Sequence, residues 1–394
     1  MKEFQEINFL VGDKNFNQRS LEPFNEIVCD FLDFLSKYLM KSQYSNNLSD
    51  IKTFAFFCRK KNVLNLKKKF GNSSLRKGLG LLFHITPSNI PTNFAYSLLF
   101  GLLSGNKNIV KVPSKSFPQI QIISDAINYS LKKFKHLKDM IKIVKYTSND
   151  DFTKYLSSIC DGRLIWGGNE TIKRIKEFPV KEISRDLSFA DRNSFCILNT
   201  SNLSRLSEKL IRSLVLKFYN DTFLVDQNAC SSPHVVFWLG KKNNKVKKRF
   251  WSTLFEEAKH KYELEYSGVF YKHDKLLSDF ISKKNIQSSK KYGNLIYCVE
   301  LNDKKINPSE MISKWGYFYE INIEKIDDLS RYSNVFTQTL TYFGFNKEDF
   351  NSLIKKKDLN GINRIVPVGQ ALDINLNWDG YDIINLLTKV IDLR

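Results

Sequence analysis

Six cysteines and five histidines occur among the 394 residues, and one cysteine differs from the others in its surroundings. Cys230 lies in DQNACSSPHVVFWLG (226–240), after Asn228 and before Ser231, Ser232 and Pro233. These residue types shape turns and offer hydrogen-bond donors. A cysteine kept for packing belongs in an apolar segment. A thiol in a polar turn ahead of an apolar strand suits a nucleophile, with backbone N–H groups at hand for a developing oxyanion. The same turn also suits an ordinary loop cysteine. His234, four residues on, either depresses the thiol pKa or simply begins the strand. Cys29, Cys58, Cys160, Cys196 and Cys298 are dispersed, with no CxxC pair and no metal-ligand spacing, so no metal site is expected. Scattered thiols suit a reducing compartment. With no signal-like start in Met1–Leu10 and no apolar stretch longer than Phe94–Leu103, the expected location is cytoplasmic, without a membrane span.

The formal charge of +20 is carried by lysine clusters at Arg59–Phe70, Gly240–Phe250 and Ser282–Lys291. They are spread along the chain, and no zinc, helix-turn-helix or RNA-binding signature accompanies them, so a solvated lysine surface is expected and no nucleic-acid partner. Such a surface still attracts anionic substrates and phosphorylated cofactors.

The positioning elements begin after a charged, helical stretch, in which Phe24–Met40 has apolar residues at helical spacing. From Gly78 strands and helices alternate: strand Gly78–Ile85, helix Asn89–Gly105, strand Asn108–Val112, helix Phe117–Phe134 and strand Met140–Tyr146. Ser148 with Asp151 reads as a capping-box-like helix start. The strand Arg163–Asn169 breaks at Gly167–Gly168 before the helix Glu170–Phe178. This alternation predicts βαβ units in a doubly wound parallel sheet, with ligands at the carboxyl ends of the strands. The GxGxxG fingerprint is absent. A second α/β unit follows: strand Ser194–Leu198, one long helix Leu203–Asp221, the Cys230 turn and strand Val235–Leu239. His84, within an apolar strand, reads as a core residue.

Three stretches, Leu79–Lys115, Asp226–Pro233 and Arg364–Ile384, in this order resemble the LuxC-type acyl-CoA reductase family, typified by the long-chain fatty acid reductase of bacterial bioluminescence. That family is a divergent branch of the aldehyde dehydrogenase superfamily. The resemblance extends through residues 75–394. It implies an α/β, aldehyde-dehydrogenase-like fold with two doubly wound domains and a cleft between them. The expected division is a helical lead-in (1–75) packed on the cofactor domain, a dinucleotide-binding domain (76–193), a catalytic domain with Cys230 (194–362), and a C-terminal segment (363–394) returning across the cleft.

The resemblance also implies NADPH-dependent reduction of an activated fatty acyl group to the aldehyde through an acyl-cysteine at Cys230. The runner-up is an acylating aldehyde dehydrogenase running from aldehyde to acyl-CoA; from another class, an idle scaffold or nucleic-acid binder that kept the fold. Asn89, in TPSN, matches the superfamily's oxyanion-hole asparagine, although by type and place it equally suits a cap of the following helix. Gly167 and Gly168 align with the glycine turn under the dinucleotide pyrophosphate, with GGNE in place of the common GST. Lys111 falls where the superfamily's lysine touches the adenosine ribose, and with Ser114 and Lys115 nearby it favours a 2′-phosphate. The glutamate base of an ELGG-like strand is missing from Glu182–Phe195, which suits a reductase better than a hydrolytic oxidase. The implied partners are an acyl-thioester substrate, an acyl-protein synthetase or acyl carrier protein that supplies it, and further copies in a homo-oligomer.

Overall fold

Long apolar runs set the architecture, because a strand with no polar face must be covered on both sides. The computed structural model describes residues 7–13, 19–43, 48–71, 75–147, 150–283, 285–302, 307, 310–357 and 359–394. They form two compact units, one of Met1–Asp191 with Asn375–Arg394, the other of Arg192–Ile374. The stretch read as one C-terminal segment, 363–394, thus divides between the units after Ile374.

The first unit contains β1 (Asn8–Val11), α1 (Glu26–Lys41), α2 (Ser49–Phe57), α3 (Lys60–Phe70), β2 (Arg76–Gly78), β3 (Leu81–Ile85), α4 (Asn93–Leu103), β4 (Lys107–Lys111), α5 (Pro118–Lys133), β5 (Ile141–Lys145), α6 (Asp150–Ile159), β6 (Gly162–Trp166), α7 (Asn169–Lys176) and β7 (Arg185–Phe189). Its sheet runs β1-β5-β4-β3-β6-β7. Neighbours are parallel except at the edge, where β1 lies antiparallel to β5. β3 is central and buried at every position; burial of Leu82 and Phe83 contributes about 1.5–3 kcal/mol each. The side chain of Asn25 caps α1, which turns Val28, Phe31, Leu32, Leu35 and Leu39 inward. β2 pairs antiparallel with Thr388–Val390 at the chain's end.

β7 was not expected as a strand, since RDLSF has only two apolar residues behind a charged pair; its inward Leu187 and Phe189 are buried beside β6. α4 starts at Asn93 with Thr92 as its cap residue. Asn89 lies three residues ahead of that cap position. Ser148, read as a cap, lies outside the described residues.

In the second unit β8 (Asn193–Asn199), α8 (Thr200–Ser204), α9 (Glu208–Thr222), β9 (Pro233–Leu239), α10 (Asn244–Lys261), α11 (Tyr266–Ser282), β10 (Ile286–Tyr292), β11 (Ile296–Leu301), β12 (Tyr317–Ile323), β13 (Thr337–Phe343), α12 (Lys347–Lys356) and β14 (Arg364–Pro367) follow in order. The sheet order is β10-β11-β12-β9-β8-β13-β14, parallel apart from β10. Side chains alternate between two cores. Cys196, Leu198, Val236 and Trp238 meet α9 and α10 on one face. Phe195, Ile197, Val235 and Phe237 join Leu276 of α11 and Phe350 and Leu353 of α12 in the other. The single helix expected over Leu203–Asp221 is broken: α8 ends at Ser204 with Arg205 as its C-terminal cap, and Ser207 caps α9, its side chain accepting from the Leu210 N–H. Serine favours a cap over a helix interior because its hydroxyl competes for backbone groups.

One buried polar chain crosses the first unit's core. His84 Nε2 lies 3.0 Å from Asn108 Oδ1 and Nδ1 lies 2.7 Å from Ser97 Oγ. The Asn108 amide nitrogen donates to the carbonyls of Asn106 and Met140, so its oxygen accepts and His84 carries its proton on Nε2. Ser97 Oγ then donates to Nδ1 while accepting from the Trp166 indole at 2.9 Å. The core reading of His84 holds, and burial pushes its imidazole down to about 4. The unfolded chain takes up this proton near 6.5 and the folded chain near 4, so folded stability is full above 6.5 and is lost as pH falls towards 4. Chemical unfolding of the wild type is expected to lose up to about 1.4 kcal/mol per pH unit over this window from this residue. The His84→Gln variant, followed from pH 7 to 4.5, is expected to show a shallower acid slope; an unchanged slope contradicts a neutral buried His84.

Candidate active site

The Cys230 turn is built from its two ends. α9 runs into the short helical turn Phe223–Val225, and then Asp226 and Gln227 both adopt left-handed backbone, φ 52° and 55°. Gln227 N–H donates to Thr222 O at 2.8 Å, Asn228 N–H to Val225 O at 2.8 Å and Ser232 N–H to Ala229 O at 2.9 Å. Ser194 Oγ donates to the Cys230 carbonyl at 2.6 Å and accepts the Thr339 N–H at 3.1 Å. These anchors place the turn at the amino edge of the second unit's parallel strands. The general expectation of ligands at carboxyl ends thus does not describe this cysteine, because the turn leads into β9 rather than out of it.

Cys230 is half-buried, whereas the other five cysteines are buried. Burial pushes those five thiols up, which disfavours the thiolate needed for attack. His234 is buried and accepts the Ser313 N–H on Nδ1 at 3.3 Å. Burial first, then the Lys314 charge, brings it down to about 4. It is neutral at pH 7 and lends Cys230 no positive charge; it lies at the start of β9, where it holds the Ser313 N–H. Asp226 accepts a hydrogen bond from the Tyr262 hydroxyl, and burial pushes its carboxyl up.

Sequence reasoning missed Gln227. Its side chain is 1% exposed and makes four hydrogen bonds. Nε2 donates to Pro233 O at 3.1 Å and Tyr317 O at 3.4 Å, and Oε1 accepts from Gly316 N at 2.7 Å and Tyr317 N at 3.2 Å. Its position three residues before the cysteine was the only available signal.

The remaining six expected site residues all belong to the first unit, at the carboxyl edge of its sheet. Asn89 is exposed in the bend after β3. Lys111 ends β4, and Thr86 Oγ1 donates to its carbonyl at 2.8 Å, joining the ends of β3 and β4. The Lys111 amine is 4.9 Å from the Tyr146 ring centre; burial, then the neighbouring Arg174, pushes its pKa down. Ser114 and Lys115 are exposed in the following loop, with the Lys115 amine 5.1 Å from the Phe117 ring. Arg174, on α7, was not expected here. It lies 3.9 Å from Asp150, and its sequence distance from Lys111 gave no hint of their proximity.

Gly167 and Gly168 close the edge after β6. Neither is among the positive-φ glycines, so conformational freedom does not require them. A Cβ on Gly168 would come within 3.0 Å of Asp191 Oδ2. That carboxylate accepts the Asn169 N–H at 3.2 Å. An acid of the chain's own therefore sits at the α7 N-terminus, where a phosphate group would otherwise find amides and a positive dipole end. Lys111, Lys115 and Arg174 suit an anionic dinucleotide; at α7 the fit requires Asp191 to turn aside. Among the described residues no group of three or more His, Cys, Asp and Glu could hold a metal ion, and no helix is long and apolar enough to cross a membrane.

Two doubly wound α/β units, one bearing a half-buried turn cysteine, define the aldehyde dehydrogenase fold. Solved structures share it at low identity. The NAD-dependent aldehyde dehydrogenase of Sinorhizobium meliloti has a TM-score of 0.65 at 11% identity, covering 92% of this chain and 80% of that one. An indole-3-acetaldehyde dehydrogenase complexed with NAD+ has 0.66 at 11%, covering 93% and 83%. The proline utilization A protein of Bradyrhizobium japonicum has 0.61 at 13%, covering 94% of this chain and 41% of that one. A profile of the acyl-CoA reductase (LuxC) family matches residues 13–307, and the chain belongs to that family. It is also similar to the long-chain acyl-protein thioester reductase of Aliivibrio fischeri, 23% identical over 164 residues. That match covers 41% of this chain and 32% of the relative, about a third of the relative's length.

Removing the acid at α7 tests the phosphate fit. Asp191→Asn is expected to tighten binding of both NADH and NADPH several-fold in a fluorescence titration, as the repulsion is lifted from the helix end. Weaker binding by the folded variant contradicts a phosphate group at this helix.

Proposed function

We propose that this chain reduces a fatty acyl thioester to the aldehyde, with NADPH as reductant and an acyl-cysteine at Cys230 as intermediate. One observation carries the reading: within the stretch matched to the acyl-CoA reductase family, Cys230 alone among the six cysteines is accessible, on a turn pinned at both ends. The Cys230 thiolate attacks the thioester carbonyl, the donor's C–S bond breaks, and the donor leaves as a thiol after taking a proton. The Cys230 N–H stabilises the oxyanion, and the Asn89 amide is assigned the same task. Bound NADPH supplies hydride equivalents, and the Cys230–acyl bond breaks to release aldehyde and regenerate the thiolate. Lys111, Ser114 and Lys115, with Arg174, hold the adenosine 2′-phosphate, while Gly167 and Gly168 leave room beside the dinucleotide. The acyl group comes as acyl-CoA or from an acyl carrier protein or acyl-protein synthetase, and the enzyme works as a cytoplasmic homo-oligomer.

Purified protein with NADPH and a panel of acyl-CoAs should oxidise the cofactor and form aldehyde. Cys230→Ala is expected to abolish turnover, whereas alanine at each other cysteine leaves most activity per folded molecule. Asn89→Ala is expected to lower kcat by about 10²–10³ with little change in unfolding midpoint. Full turnover by Cys230→Ala overturns the proposal.

The cofactor preference has its own test. A 2′-phosphate brings about two charges, and a pair of lysines rewards it by roughly 1–3 kcal/mol. Neutralising Lys111 and Lys115 together should raise KM for NADPH and leave KM for NADH nearly unchanged. Equal weakening of both cofactors contradicts 2′-phosphate recognition by these lysines.

A further inference from the structure

We propose that Gln227 is a positioning residue: its buried side-chain amide sets where the Cys230 thiol sits against the acyl donor. The inference rests on the acyl-cysteine reading above. Two consecutive non-glycine residues, Asp226 and Gln227, hold left-handed backbone. Each such residue costs conformational energy and persists only where its surroundings over-determine it. The surroundings here are specific. The Gln227 amide bridges the turn's two ends by donating to Pro233 O, three residues beyond Cys230. The same amide grips the strand start of β12 through Gly316 N, Tyr317 N and Tyr317 O. All of the amide's hydrogen-bonding directions are thereby used.

The segment it grips is itself fixed. Ser313 Oγ donates to Tyr317 O at 2.5 Å, Ser313 N–H to His234 Nδ1, and Trp315 N–H to the Asp226 carbonyl at 3.2 Å. Residues 313–317 thus touch both stems of the turn, at Asp226–Gln227 and at Pro233–His234. Cys230 lies midway between these stems. A displacement of either stem moves the thiol, and a misplacement of about 1 Å at a reacting atom can cost about 10²-fold in rate. The hydrogen bonds inside the turn, such as Ser232 N–H to Ala229 O, fix its shape but not its place.

Two near-isosteric variants separate positioning from folding. Gln227→Glu keeps the acceptor towards Gly316 and Tyr317 but aims an oxygen at the Pro233 and Tyr317 carbonyls; Gln227→Met removes all four hydrogen bonds. In single-turnover mixing with an acyl-CoA, rates are taken per folded molecule, with the folded fraction measured by circular dichroism. Both variants are expected to acylate Cys230 about 10²-fold more slowly. Their iodoacetamide alkylation at Cys230 should stay within about threefold of wild type, because that small reagent needs no oxyanion alignment, and KM for NADPH should stay unchanged. Wild-type acylation rates in both variants overturn the inference, as does a rate loss matching the unfolded fraction. So does a parallel fall in alkylation and acylation, which indicates a lost thiolate rather than a moved one. Absence of Cys230 acylation in the wild type instead overturns the acyl-cysteine reading itself.

Discussion

A turn that enters a protein interior must find a partner for each buried backbone N–H and C=O, and around Cys230 two side chains, Ser194 and Gln227, supplement the turn's backbone bonds in meeting that requirement. Ser194 holds the Cys230 carbonyl; Gln227 holds the stems through Pro233, Gly316 and Tyr317. Unmade, each of these bonds leaves a buried group at a cost of about 1–3 kcal/mol. The strands depend on the same arrangement. β9 begins at Pro233, β12 at Tyr317 and β8 at Asn193, so the groups that satisfy the turn also set where three parallel strands start. Rigid strands in turn carry Cys230 on a fixed base rather than a mobile loop.

The first unit solves a different problem, that of holding charge. Its carboxyl edge gathers Lys111, Lys115 and Arg174, yet just after β6 it places Asp191 on the first amide of α7. Lysine charge over the whole chain brings anions near; the edge must then sort them by local geometry. Partial burial of Lys111 beside Arg174 favours loss of its proton, and an anion placed between the two relieves that pressure. An anion at α7 meets the opposite situation.

Much of this was legible in residue order. Runs such as Leu81–Ile85, apolar apart from His84, announced buried parallel strands, and Gly167–Gly168 marked the strand-to-helix break. Other features were hidden for physical reasons. β7 opens with two charged residues, Arg185 and Asp186, and is ordered by pairing with β6, a long-range effect. Ser207 reads as one polar residue in an amphipathic run, although its hydroxyl caps a new helix, α9, three residues after α8 has ended. The buried polar chain from Trp166 through Ser97 and His84 to Asn108 joins residues up to 82 positions apart. Cys230 stood out by its polar neighbours, but Gln227 did not: its importance comes from Gly316 and Tyr317, which sequence proximity cannot supply. Asn89, by contrast, sits one loop ahead of the helix it resembled a cap for.

The most direct measurement is intact-protein mass spectrometry after incubation with a long-chain acyl-CoA, without reductant, followed by peptide mapping. The account predicts a single added mass equal to one acyl group, carried by the peptide containing Cys230 and discharged as aldehyde when NADPH is added. An acyl adduct on any other residue, or steady turnover with no adduct at any time, contradicts it.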